Sequence, residues 1–169
     1  VLFPERPTAD VLFDQIAKHE PTFLTGVPTM FQKMLSSERF GEVDFSSVRL
    51  SLSAGEALPA SLYTEWTEKT GMEILDGIGS AEMFHIYISN RPGDVKLGSL
   101  GKIVEGYETE IVGPDGAPVA EGESGRLHVH GGSTALCYHG DEAKSAETYD
   151  GDWCITADTF RKDAEGYYY

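Results

Sequence analysis

The chain has 169 residues, 40% hydrophobic and 24% charged, which is enough to bury a core in one domain or two small ones. Its formal net charge of −15, from 28 Asp+Glu against 13 Lys+Arg, excludes a broad nucleic-acid-binding face, which needs clustered basic residues. No apolar run reaches the roughly 20 residues of a membrane-spanning helix.

The opening run, Val1-Leu2-Phe3, has no basic stretch before it, so no secretory signal is expected and the protein is read as cytoplasmic. Val11, Leu12 and Ile16 fall at helical spacing, and Pro21 stops that helix. Phe23-Leu24-Thr25 reads as a short strand. Val27, Phe31, Met34 and Leu35 form an amphipathic helical stripe. Val48, Leu50 and Leu52 alternate as a strand does. Pro59 suits the first turn of a helix that carries Leu62 and Trp66 on one face and ends at Gly71. A strand resumes at Glu73-Ile74-Leu75. Strands and helices alternating at this spacing predict a parallel α/β subdomain over residues 1–90.

Beyond Asn90 the helical periodicity fades. Tyr107, Thr109 and Ile111 alternate before the turn Pro114-Asp115-Gly116, and Leu127 and Val129 alternate again. One helix is expected near Glu142–Thr148. Short strands are expected at Trp153–Ile155, Thr159–Arg161 and Tyr167–Tyr169. Residues 91–169 therefore read as a small antiparallel β-barrel-like subdomain. Cys137 and Cys154 form no CxxC pair and are expected to be reduced, small, semi-buried side chains. The start at Val1 and the aromatic end at Tyr169 are read as the edges of an internal fragment.

Three segments carry candidate chemistry. Ser53-Ala54-Gly55-Glu56-Ala57-Leu58-Pro59 joins a strand to a helix, where an open parallel sheet binds ligands and where glycine lets a flat ring approach. Taken alone, it also reads as an ordinary strand-to-helix turn. Asp76-Gly77-Ile78-Gly79-Ser80-Ala81-Glu82 is read as a tight glycine bend followed by a carboxylate suited to Mg²⁺ beside a phosphate. It lacks the third glycine of a dinucleotide fingerprint, and no P-loop occurs. In Gly151–Asp158 a short strand is expected to end on Asp158, whose carboxylate can accept from two ribose hydroxyls or stand as a solvated turn residue. His128 and His130 share a strand face and with His139 offer a three-ligand metal set, which a solvent-facing strand explains equally. His85 lies three residues after Glu82 and can face the same pocket.

In order and spacing these segments resemble the adenylate-forming acyl- and aryl-CoA synthetases over essentially the whole chain. DGIGSAEMFHIY is similar to their Gly-x-Gly-x-Thr-Glu segment. LGSLGKIVEGYETEIVGPDGAPVAEGESGRLHVHG is similar to their stretch ending in Gly-Glu-Leu, and GDWCITADTFRKDAEGYYY to their Gly-Trp…Thr-Gly-Asp…Gly-Tyr stretch. VPTMF resembles a segment lining their acyl pocket. SAGEALP together with DGIGSAEMFHIY is most similar to benzoate-CoA ligases.

The resemblance implies part of the large N-terminal domain of such an enzyme, with ATP, Mg²⁺, CoA and a small carboxylic acid, benzoate-like, as its partners. Gly55, Glu56 and Ala57 would line one side of adenine, and Asp76, Gly77 and Ile78 the other. Glu82 would ligate Mg²⁺, and Asp158 would hold the ribose. Gly79, His85, Ile86 and Phe31 would lie near the acyl or aryl pocket. Two residues depart from the pattern. Ala81 stands where the family has Thr, which removes a hydroxyl donor worth about 2–4 kcal/mol if it acts as oxyanion-hole donors do. Ala157 stands where the family has Gly, which matters if that backbone needs φ > 0. The family's phosphate loop and catalytic lysine are absent from these residues and would lie upstream and downstream, so this fragment alone is expected to be inactive. The same sequence leaves open an aliphatic acyl-CoA synthetase, an aryl-adenylating domain that loads a carrier protein, and an acidic α/β interaction module. The oligomeric state is not read from it.

Overall fold

The computed structural model describes residues 6–169; the apolar run Val1-Leu2-Phe3 lies outside them. Two compact units follow one another, the first running up to Asp76 and the second from Gly77 to Tyr169.

The first unit is α/β. Helix α1 (Ala9–His19) is capped by Thr8, whose hydroxyl accepts from the Val11 amide, and it ends on left-handed Glu20 before Pro21. Strand β1 (Phe23–Gly26) leads into α2 (Pro28–Leu35), which has proline at its first turn. A 3₁₀ turn (Glu38–Glu42) and β2 (Leu50–Ser53) precede α3 (Ala60–Thr70) and β3 (Ile74–Gly79). Pro59 is the cap of α3 and not part of its first turn; its extended ψ of 134° leaves the helix to begin at Ala60. β1, β2 and β3 pair in parallel, in the registers Leu24–Ser51 and Leu52–Leu75. The helical stripes meet in a core of Phe13, Ile16, Phe31, Met34, Trp66 and Ile74. Trp66 is fully buried, with Phe31, Phe40 and Phe45 edge-on to it at 4.9–5.8 Å between centroids.

In the second unit, the end of β3 pairs antiparallel with β4 (Ile86–Ser89), and β4 with β5 (Lys102–Ile103). β6 (Tyr107–Val112), β7 (Ser124–Gly131), β8 (Tyr149–Asp150) and β9 (Trp153–Arg161) form a curled antiparallel half-barrel in the order β6-β7-β9-β8. Helix α4 (Glu142–Thr148) precedes β8. The alternation of β7 places Leu127 and Val129 in a core with Tyr87, Ile88, Cys154 and Phe160.

Three further expectations change. The two short strands after Gly151 are one, β9, because a bulge bridges their gap. Tyr167–Tyr169 forms isolated bridges through Tyr168, to Gly101 and Lys162, in place of a strand. Cys137 is exposed, while Cys154 is buried.

Candidate active site

In the first unit, the loop after β2 carries Gly55, Glu56 and Ala57, all exposed. Gly55 adopts φ +89°, which a side chain would resist, so glycine is required there by the turn itself. Asp76, within β3 opposite Ser53 at the end of β2, is buried, and its Oδ2 accepts from the Leu58 amide at 3.1 Å. That bond ties the loop to β3 and gives Asp76 a buttressing role beneath it. Phe31 is fully buried against Trp66 and is placed as a core residue.

In the second unit, Gly77 and Gly79 do not form a bend. Both lie in β3, opposite Ser89 and Ile86 of β4, with negative or extended φ. A Cβ at Gly77 would come within 2.8 Å of the Ile88 carbonyl oxygen, so the glycines admit a close strand instead of turning the chain. The turn comes later, over Ser80–His85, where the Ser80 amide donates to the His85 carbonyl at 3.3 Å and Phe84 takes φ +71°. Gly79 and Ile86 face each other at its root, Ile78 packs against the unit's core, and His85 is exposed.

Glu82 projects from this turn. Tyr138 donates its phenol hydrogen to Glu82 Oε1, which holds the Glu82 carboxyl below the ordinary carboxylate range. The carboxylate in turn pushes the phenol up to about 12. Two backbone-directed bonds reinforce the contact: the Ala135 amide donates to the Glu82 carbonyl at 2.8 Å, and Ser133 Oγ donates to the Met83 carbonyl at 2.7 Å.

Asp158 reaches the same cavity by a different device. Between the pairs Arg126–Thr159 and His128–Ile155, β7 contributes Leu127 alone while β9 contributes Thr156, Ala157 and Asp158. Buried Thr156 holds the bulge: its hydroxyl donates to the Leu127 carbonyl at 2.8 Å and accepts from the Asp158 amide at 3.2 Å. β9 therefore does not end on Asp158, as expected from the sequence; it bulges there. Ala157 keeps φ outside the positive region, so its methyl adds no backbone strain.

Glu82 and Asp158 line one cavity of about 490 Å³, with Ser80, Arg126, Tyr138, Lys144 and Thr156 among its other walls. Sequence reasoning missed Tyr138 and Lys144, which carry no local motif and come to Glu82 only through tertiary structure; Thr156 stood in the quoted Thr-Ala-Asp run, but its hold on Leu127 was not foreseen. The histidine set does not form: among the described residues no three His, Cys, Asp or Glu side chains are placed to hold a metal ion. His130 lies on the Trp153 ring, with centroids 5.2 Å apart, and burial lowers the His128 pKa.

The family model for AMP-binding enzymes matches residues 1–139. The chain belongs to the AMP-binding enzyme family. Among its relatives is the 4-hydroxybenzoate–CoA/benzoate–CoA ligase of Rhodopseudomonas palustris, 42% identical over 99% of this chain and 31% of that protein. The anthranilate CoA ligase AuaEII in complex with anthranoyl-AMP superposes with a TM-score of 0.95 at 44% identity, over 100% of this chain and 33% of its own. The O-succinylbenzoate coenzyme A synthetase of Bacillus subtilis, in complex with ATP and magnesium ion, superposes at 0.84 and 28% identity, over 97% and 34%. This member of the family thus spans about a third of the length of the relatives it matches.

Proposed function

We propose that the protein to which these residues belong is an ATP-dependent aromatic carboxylic acid:CoA ligase. A substrate carboxylate oxygen attacks the α-phosphorus of ATP and pyrophosphate leaves, forming an acyl-adenylate. The CoA thiol then attacks the acyl carbon and AMP leaves. The observation that carries this reading is the meeting of Glu82 and Asp158 on one cavity wall from two separate motifs.

In this reading Asp158, set forward by its bulge, accepts hydrogen bonds from the ribose hydroxyls. The exposed Gly55–Ala57 loop offers its backbone to adenine, with Asp76 holding the loop in place. The family resemblance assigns Gly77 and Ile78 to the adenine side and Gly79, His85 and Ile86 to the aryl side. Glu82 supplies a carboxylate oxygen on a polar wall, the hard donor that Mg²⁺ accepts alongside phosphates and waters. When bound, that cation neutralises phosphate charge during the first step.

The test is a panel of aromatic and aliphatic acids offered to the full-length protein with ATP, Mg²⁺ and CoA, following AMP release and thioester formation. Benzoate or a ring-substituted relative is expected to give the highest kcat/KM. Turnover of aliphatic acids only, or adenylate formation without transfer to CoA, would sink the reading.

A further inference from the structure

We infer that Tyr138 is the positioning residue for Glu82: its phenol fixes the carboxylate in the orientation that receives the divalent cation. This rests on the proposed role of Glu82 as metal ligand.

Tyr138 is itself held at its backbone and at its ring. The Tyr138 amide donates to Ser145 Oγ of α4 at 2.9 Å, and the Tyr138 ring lies on Tyr149, 5.9 Å between centroids. Ser145 is in turn anchored on the α4 cap, its hydroxyl donating to the Asp141 carbonyl at 2.7 Å. The Glu82 backbone is held independently, its carbonyl accepting from Ala135. With backbone and one carboxylate oxygen both engaged, the side chain loses the rotamer freedom that a glutamate on an open turn would have. A hydrogen-bond donor behind a ligating carboxylate orients it, and loss of such a partner typically costs about 10- to 100-fold in metal affinity or activity.

The experiment compares the full-length protein with Tyr138→Phe and Glu82→Gln, measuring Mn²⁺ affinity in the presence of ATP and the line shape of the bound ion by electron paramagnetic resonance. Urea midpoints report the fold. Tyr138→Phe is expected to weaken Mn²⁺ about tenfold and to broaden the spectrum of the bound ion, because the released carboxylate takes more than one orientation. A purely structural tyrosine would lower the urea midpoint without changing the spectrum of the ion that remains bound. If Glu82→Gln leaves Mn²⁺ binding unchanged, the ligand reading fails and the positioning role with it. If Glu82→Gln weakens Mn²⁺ while Tyr138→Phe changes neither affinity nor line shape, only the positioning role is overturned. Should Tyr138→Phe fold poorly, 3-fluorotyrosine at this position, which keeps the hydroxyl donor at nearly the same size, is compared with it and is expected to retain the wild-type affinity and line shape; loss of either overturns the inference.

Discussion

Gly79 sits opposite Ile86, at the root of the turn between β3 and β4. A Cβ there would collide with the backbone carbonyl of His85 and lie 2.6 Å from Ile86 Cα, so the obstruction is main chain and cannot rotate aside. Gly79→Ala is therefore expected to destabilise the chain by about 1–3 kcal/mol, the usual cost of overpacking, with urea denaturation as the measurement. A change below a few tenths would mean that the hairpin opens freely. The same contact restricts any substitution meant to reshape the neighbourhood of His85 and Ile86, because room must first be made in the backbone. Gly55 answers to a different cause, its φ of +89°, with only Val27 Cγ1 near its missing Cβ, at 3.7 Å.

At the scale of the element, β9 shows how a strand can present a carboxylate without ending. A regular β9 would alternate, and Asp158 would take its place in the pleat. The extra residues break that alternation, and the Thr156 hydroxyl takes up the Leu127 carbonyl left by the missing ladder bond. Thr156→Val keeps the shape and removes that donor and acceptor. It is expected to cost about 1–3 kcal/mol by leaving the buried Leu127 carbonyl unpaired and to weaken AMP binding by the full-length protein through a loosened Asp158. Unfolding curves and AMP titration check the two effects separately. Loss of stability with unchanged AMP affinity would detach Thr156 from the site.

Over the whole molecule, the excess of acid is partly organised. Within the second unit Lys96 joins Asp163 at 2.8 Å and Glu165 at 2.9 Å, and Tyr169 donates to Asp163 at 3.0 Å, drawing the last turn against the segment before β5. The hydrogen bond from Lys96 holds Asp163 well below the ordinary carboxylate range, and Asp163 holds Lys96 above the ordinary lysine range. The Asp163 contribution is fully present above its unfolded value, about 3.9, and is lost as pH falls through the lower folded value. The Lys96 contribution is present below about 10.4 and is lost as pH rises through the higher folded value. Lys96→Met is thus expected to be less stable at neutral pH, with a shallower decline on both the acid and the alkaline side. Urea midpoints measured from about pH 2 to about pH 11 check this; parallel curves for variant and wild type would remove the pair from the pH dependence.

Periodicity was sufficient for α1, α2, α3 and the alternation of β6 and β7, because each of these buries one face and its apolar residues repeat at the element's own period. Glu82 and Asp158 were legible as candidates because each stands in a run whose order and spacing resemble the family. What the glycines of β3 do was decided by tertiary structure: the carbonyls that exclude their Cβ atoms belong to Ile88 of β4 and to His85 just before it, and no local signal reports a neighbouring strand's distance. The bulge at Asp158 was settled by β7, whose single residue opposes three. Tyr138 became the partner of Glu82 only when the half-barrel brought two loops together. Side-chain period is a property of one segment, but the orientation of a carboxylate is a property of what packs around it.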